Sequence, residues 1–189
     1  VKEVRWGTVS TEPGIKLVDL ERETLKAGQE LRLYPSTKRT ATIGGFIAGG
    51  STGVGAIEHG YLADSDNIKS LRVITMEREP RILTLKGRDI GKAAHAYGTN
   101  GIITELEIGL AESRAWTDVI VSFPDFNQSL YFTQALAHSN NINTKEIAIF
   151  EAPVTNYFPD FNIPTKEHSC FAMVQSSDLD HMKKLIVQS

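Results

Sequence analysis

The residues with the most unusual spacing are seven glycines at 44, 45, 49, 50, 53, 55 and 60, almost half of the chain's 15. Relative to alanine, each glycine leaves the unfolded chain freer by about 0.4–1 kcal/mol. Seven therefore destabilise by roughly 3–7 kcal/mol unless close packing or a ligand offsets them. A missing Cβ lets backbone N–H groups approach an anion directly, so phosphate binding is the chemistry this density points to. The stretch imitates several motifs. No Lys-Ser or Lys-Thr follows the glycines, which excludes a Walker loop. Gly53-Val54-Gly55-Ala56-Ile57-Glu58 begins like a dinucleotide fingerprint, but glutamate replaces the third glycine and no strand is expected before it. Gly49-Gly50-Ser51-Thr52-Gly53 fits the G-x-S-x-G elbow of serine hydrolases, yet glycines crowd both sides of Ser51 where a strand and a helix are needed. Hydrolysis at Ser51 is thus a minor alternative, beside a non-redox module using the loop for a nucleotide or phosphate.

Other chemistry is sparse. His59, His95, His138, His168 and His181 are scattered without metal-ligand spacing, so no metal is expected. Trp6, Tyr97 and Trp116 read as packing residues, and Cys170, inside a strand-like Phe171-Ala172-Met173-Val174 context, as a buried and inert thiol. Twenty basic and 23 acidic residues leave a charge of −3 and no basic track for nucleic acid. No apolar run approaches the roughly 20 residues of a membrane helix, and Val1-Lys2-Glu3-Val4 lacks a signal-peptide layout. A cytoplasmic chain without a membrane span is expected. It opens without methionine and closes on a helix, so either end reads as a cut through a larger protein.

The elements that must position the glycines follow from periodicity. Val4 to Thr11 reads as a strand, Pro13-Gly14 as a turn, and the next segment as a helix with Leu17, Leu20 and Leu25 on one side, ended by Gly28. Glu30 to Tyr34 is a short strand. Ile68 to Thr75 and Arg81 to Lys86 form a hairpin across Met76 to Pro80, with Leu71 and Val73 alternating against Ser70 and Arg72. Asp89 to Tyr97 reads as a short helix closed by Gly98, and Gly101 to Ile108 as a strand ending near Ala111. After the polar linker 112–115 come a strand (Thr117 to Phe123), a helix (Asp125 to Ser139, with Phe126, Leu130, Thr133, Leu136 and Ala137 on one face), strands at Thr144 to Phe150 and His168 to Val174, and a helix capped by Ser177 or Asp178. That order is most of a split βαβ unit, short of one strand.

Pro35-Ser36-Thr37-Lys38-Arg39-Thr40-Ala41-Thr42-Ile43-Gly44-Gly45, with the glycine loop after it, resembles the flavin-binding signature of the vanillyl-alcohol oxidase and para-cresol methylhydroxylase (PCMH) superfamily. Its most similar subgroup is the glycolate oxidase and D-lactate dehydrogenase type. Tyr97-Gly98-Thr99-Asn100-Gly101-Ile102-Ile103-Thr104-Glu105 resembles the family's G-T-x-G-I-I-T-E stretch, in the right order and about fifty residues on. Glu12-Pro13-Gly14 and Asp19-Leu20 extend the likeness over residues 1–111.

The resemblance implies an α+β fold: the second subdomain of a PCMH-type FAD-binding domain at 1–111, then part of a ferredoxin-like substrate or cap domain at 112–189. It implies FAD, with Pro35, Ser36, Thr40, Thr42, Ile43, Gly44 and Gly45 offering hydroxyls and free N–H groups to the pyrophosphate and ribityl oxygens, and Thr42 capping a turn from Ile43. Gly49, Gly50, Ser51 and Gly53 are expected beside the flavin ring, Gly98 within the second motif, and Ile103 along the adenine through backbone groups. Phe46, Ser51-Thr52-Gly53 and His59 depart from the family's commoner asparagine, Ala-Gly-Gly and tyrosine. The family's first FAD subdomain should precede residue 1 and its C-terminal part follow residue 189, so the chain alone is expected to bind FAD weakly or not at all and not to turn over. The expected reaction of the full protein is hydride transfer from a 2-hydroxy acid or similar alcohol to flavin. The catalytic base, the electron acceptor, and whether the chain forms a homo-oligomer or joins the missing parts are left open.

Overall fold

The structure, a computed structural model, describes residues 1–64, 66–161, 163–164 and 166–188, and the chain divides into two units, Val1–Ser113 and Arg114–Ser189. In the first unit the strand expected from Val4 to Thr11 is a hairpin: β1 (Glu3–Arg5) and β2 (Thr8–Thr11) pair antiparallel around Trp6 and Gly7. Gly7 supplies the positive φ, +82°, that so tight a turn demands. Helix α1 (Leu17–Leu25) buries Leu17, Leu20 and Thr24, spaced three and four apart, while Leu25, expected on that side, is half exposed. After β3 (Gln29–Leu31) comes α2 (Ile43–Gly49), a helix where a turn was expected. Thr42 Oγ1 accepts the Gly45 N–H at 3.2 Å, and Ile43, Phe46 and Ile47 bury one stripe. Cap and stripe together outweigh the roughly 1 kcal/mol that each interior glycine costs a helix.

A short helix α3 (Ala56–His59) leads to the expected hairpin of β4 (Ile68–Thr75) and β5 (Ile82–Leu85). The expected helix Asp89 to Tyr97 is instead a 3-10 turn at Gly87–Lys92 followed by an irregular stretch, because His95 and Tyr97 take left-handed backbone angles no helix can hold. Strand β6 (Gly101–Glu112) completes the unit. Among the described residues the sheet runs β1-β2-β6-β4-β5, with β3 also on β6. The strands alternate as their sequence does. Leu71 faces Leu106 and Val9 faces Ile108 on the buried side. Arg72 faces Glu105 and Ser10 faces Glu107 on the other.

The second unit contains β7 (Trp116–Phe123), α4 (Phe126–Ala137), β8 (Thr144–Phe150), α5 (Ala152–Thr155), β9 (His168–Gln175) and α6 (Leu179–Gln188). Its strands pair antiparallel in the order β7-β9-β8. Asp125 caps α4, accepting the Asn127 and Gln128 N–H groups at 3.0 and 3.2 Å. The buried stripe of α4 is Ser129, Phe132 and Leu136; Leu130 and Ala137, expected inward, are exposed. Phe132, Leu136 and Met182 pack on Cys170, Ala172 and Val174 of β9, and burial pushes the Cys170 thiol up from its ordinary range. The alternate residue Phe171 therefore lies on the opposite face, where Phe150, Phe158 and Phe161 meet it with ring centroids 5.0–5.8 Å away. Asp178, an expected cap for α6, instead accepts the backbone and side-chain N–H groups of Asn143 at 2.9 and 2.8 Å. The backbone bond foremost holds its carboxyl below the usual aspartate range.

Phe132→Ala should lower stability by about 3–5 kcal/mol in urea melts, since a fully buried ring leaves a cavity. Asp178 has a depressed folded value, so the stability it contributes is present above the unfolded aspartate range and is lost as pH falls through that depressed value. Urea midpoints measured down a pH series should accordingly decline less steeply with acid in Asp178→Asn than in the parent.

Candidate functional site

Two segments of the first unit are stitched together by their backbones. Ile43 N–H donates to Ile15 O at 3.0 Å, Leu17 N–H to Ala41 O at 3.0 Å, and Gly44 N–H to Pro13 O at 2.9 Å. The approach is close enough that a Cβ on Gly44 would collide with Pro13. A third wall comes from the stretch before β6 and from the start of β6. Together they enclose a cavity of about 390 Å³ lined by Pro13, Gly14, Thr42, Gly44, Gly45, Ala48, Ala93, Gly98, Gly101, Ile102 and Ile103. No charged side chain is in that lining. Gly14 and Gly98 have nothing within 4 Å of where a Cβ would stand, so their missing side chains leave open room at the cavity wall.

Of the residues expected at a site, Thr42, Gly44, Gly45, Gly98 and Ile103 line this cavity together, although about fifty residues separate the two motifs. Pro35, Ser36, Thr40, Ile43, Gly49, Gly50, Ser51 and Gly53 are outside the lining. Ile43 is a core residue, 1% exposed. Pro13, Gly14, Ala48, Ala93, Gly101 and Ile102 were missed, the last two although they stand within the second motif. Ala48 had a readable signal, lying three residues after Gly45 on one helical face; Ala93 had none.

Of the free N–H groups expected from Thr40 to Gly45, only that of Thr42 reaches no acceptor among the described residues. Thr40 and Ala41 donate to Thr37 O, Ile43 and Gly44 to the Pro13–Ile15 wall, and Gly45 to the Thr42 hydroxyl. Building the wall uses the Ile43 and Gly44 donors that phosphate would have taken. Further open backbone groups lie elsewhere. The amides of Ser51, Thr52 and Gly53 reach no acceptor among the described residues. Strand β6 pairs with β4 from Gly101 to Ile108 but with β2 only from Leu106 to Gly109, so one edge of Gly101–Glu105 has no strand partner among the described residues. At the end of that edge Glu105 is held below its ordinary range, first by the Lys2 ammonium hydrogen-bonded to it at 2.7 Å.

The second unit has a smaller cavity of about 280 Å³, lined by apolar residues such as Ile120, Phe161, Phe171 and Met173 with Asp118 and Glu146 among them. Burial first, and then Asp118, pushes the Glu146 carboxyl up. Among the described residues no helix is long and apolar enough to cross a membrane, and no group of three His, Cys, Asp or Glu side chains is placed to hold a metal.

Residues 2–81 match the family model of the FAD binding domain. No curated protein matches the chain. Among solved structures it is similar to an alkyldihydroxyacetonephosphate synthase in two crystal forms, at TM-scores of 0.70 and 0.69 and 20% and 21% identity. Both alignments cover 96% of this chain but only 37% and 38% of the synthase, so the chain spans well under half the length of the structures it matches. The fold is the α+β arrangement expected, and the domain match identifies FAD as the cofactor.

Thr42→Ala removes the α2 cap and should cost about 1 kcal/mol in a thermal or urea melt. Gly44→Ala should cost more, because the backbone contact with Pro13 must open.

Proposed function

We propose that this chain is the FAD-holding part of a flavin-dependent oxidoreductase that oxidises a 2-hydroxy acid or related alcohol. The observation that carries the reading is that Thr42–Gly45 and Gly98–Ile103, the two segments resembling flavin-binding motifs, line one cavity. FAD fits the residues present. Small side chains and glycines leave room for a flat ligand, and Gly14 and Gly98 open space that a side chain would fill. The unpaired edge of Gly101–Glu105 offers the N–H and C=O groups of alternate residues to a planar heterocycle, as sheet edges do. Ser51, Thr52 and Gly53 offer donors to oxygens. When bound, the flavin supplies the hydride acceptor; the chain's own residues hold it and orient it. The first unit corresponds in this reading to the second FAD subdomain, and the second unit to part of a substrate cap.

A second reading keeps the flavin but assigns it to a synthase, in keeping with the name of the similar solved structures. Anaerobic addition of 2-hydroxy acids to the FAD-loaded full-length protein separates the two. Loss of the flavin's visible absorption supports the dehydrogenase. An unchanged spectrum with every hydroxy acid removes that substrate class, and failure of the full-length protein to take up FAD at all overturns both.

In the full-length protein Gly14→Leu should weaken FAD binding at least about tenfold while leaving the thermal midpoint nearly unchanged. Gly14 has an ordinary φ and open space around it, so the new side chain fills the cavity without straining the fold.

A further inference from the structure

Among the described residues, the non-glycine residues with positive φ are His95 (+56°) and Tyr97 (+51°), and they are neighbours but one. An L-residue in that region is disfavoured by roughly 1–2 kcal/mol, whereas glycine occupies it freely. Part of the geometry has a structural reason. His95 N–H donates to Ile47 O at 3.0 Å and Tyr97 N–H to Ala48 O at 2.9 Å, closing carbonyls in the last turn of α2. That accounts for the backbone and not for the side chains, since glycine at both positions would keep both bonds. Burial does not account for them either, because His95 is exposed and Tyr97 is 73% exposed.

The side chains do engage each other. Tyr97 Oη lies 3.4 Å from His95 Nε2, with ring centroids 5.5 Å apart. The His95 ring also occupies the space where a Cβ on Gly50 would stand, which braces the pair against the start of the Ser51–Gly53 loop and its open amides. In sequence the pair is enclosed by the cavity-lining residues Ala93 and Gly98, and its backbone is bonded to the cavity-lining Ala48. FAD, an adenine nucleotide joined to a flavin nucleotide, is too large for a cavity of about 390 Å³, so part of it must lie beyond the lining. Strain kept against a cheaper alternative, at a ligand's edge, is a mark of function.

We propose that His95 and Tyr97 form an imidazole–phenol pair that hydrogen-bonds to polar atoms of bound FAD at the rim of the cavity. This rests on the FAD reading above. Dissociation constants for FAD and for ADP, with the melting temperature of the unliganded protein, test it in the full-length protein on the parent, His95→Gly and Tyr97→Phe. His95→Gly relieves the strain and should melt at or above the parent, yet bind FAD about tenfold more weakly. Tyr97→Phe should melt like the parent, bind FAD more weakly, and shift the visible band of the bound flavin if the flavin half is the one contacted. Weakening of FAD alone assigns the contact to the flavin half; equal weakening of ADP assigns it to the adenosine diphosphate half. The pair is purely structural, and the proposal wrong, if both variants bind FAD like the parent or if His95→Gly loses stability and affinity together. A parent that binds no FAD overturns the cofactor reading and this one with it, whereas a binding parent with unaffected variants overturns this one alone.

Discussion

The site depends on one constraint: the backbone of Pro13–Leu17 must lie against that of Ala41–Gly44 with three N–H···O bonds of 2.9–3.0 Å between them. Two segments almost thirty residues apart become one wall by this pairing. It requires a glycine at 44, because a side chain there would meet Pro13. It also sets where α2 begins, since Ile43 and Gly44, the first two helical residues, direct their N–H groups across the junction rather than out to a ligand. Backbone donors are finite, one per residue, and a wall sealed by them cannot also bind phosphate through them.

Polar recognition is therefore displaced to the margins of the cavity. The lining carries small and apolar groups with no charge, which suits a flat ring system held by shape. Hydrogen bonding is available where secondary structure leaves backbone unpaired, at the loop Ser51–Gly53 and along the open edge of β6. Both come from irregularity: one where a helix stops, the other where β2 is shorter than β6. The absence of a charged lining also agrees with the weak net charge of −3, since neither the bulk composition nor the cavity draws an anion by long-range field.

How much of this could be read from residues alone varies with the physics behind each element. Strand β4 was legible because Leu71 and Val73 alternate with Ser70 and Arg72 as the faces of a sheet require, and β7 because Val119, Ile120 and Val121 form a β-branched run. The Thr42 cap was legible because a threonine hydroxyl before Ile43 has an obvious use. Helix α2 was hidden because Gly44 and Gly45 argue against a helix locally, and its stability comes from burying Ile43, Phe46 and Ile47. The β1–β2 turn was hidden inside a run that favours strand throughout. The rotation of α4, burying Phe132 rather than Leu130, depends on which neighbours arrive from β9 and α6. Left-handed backbone at a histidine and a tyrosine has no local signature, so the stretch after Lys92 read as an ordinary helix. Pro13 and Gly14 looked like a simple turn, because a cavity wall is a tertiary property.

Strand β6 draws partners from the whole length of its unit: Thr8 pairs with Gly109, Leu31 with Leu110 and Leu71 with Leu106. Pairings so distant in sequence form slowly, because large loops close before they are rewarded by contacts. A chain leaving the ribosome has made Pro13, Thr42 and Gly45 long before Ile103, and the cavity has no third wall until β6 docks. The cofactor thus arrives at a nearly finished unit and cannot guide its early collapse. A shortage of it during synthesis would be felt as an unfinished edge on folded protein, rather than as a failure to fold.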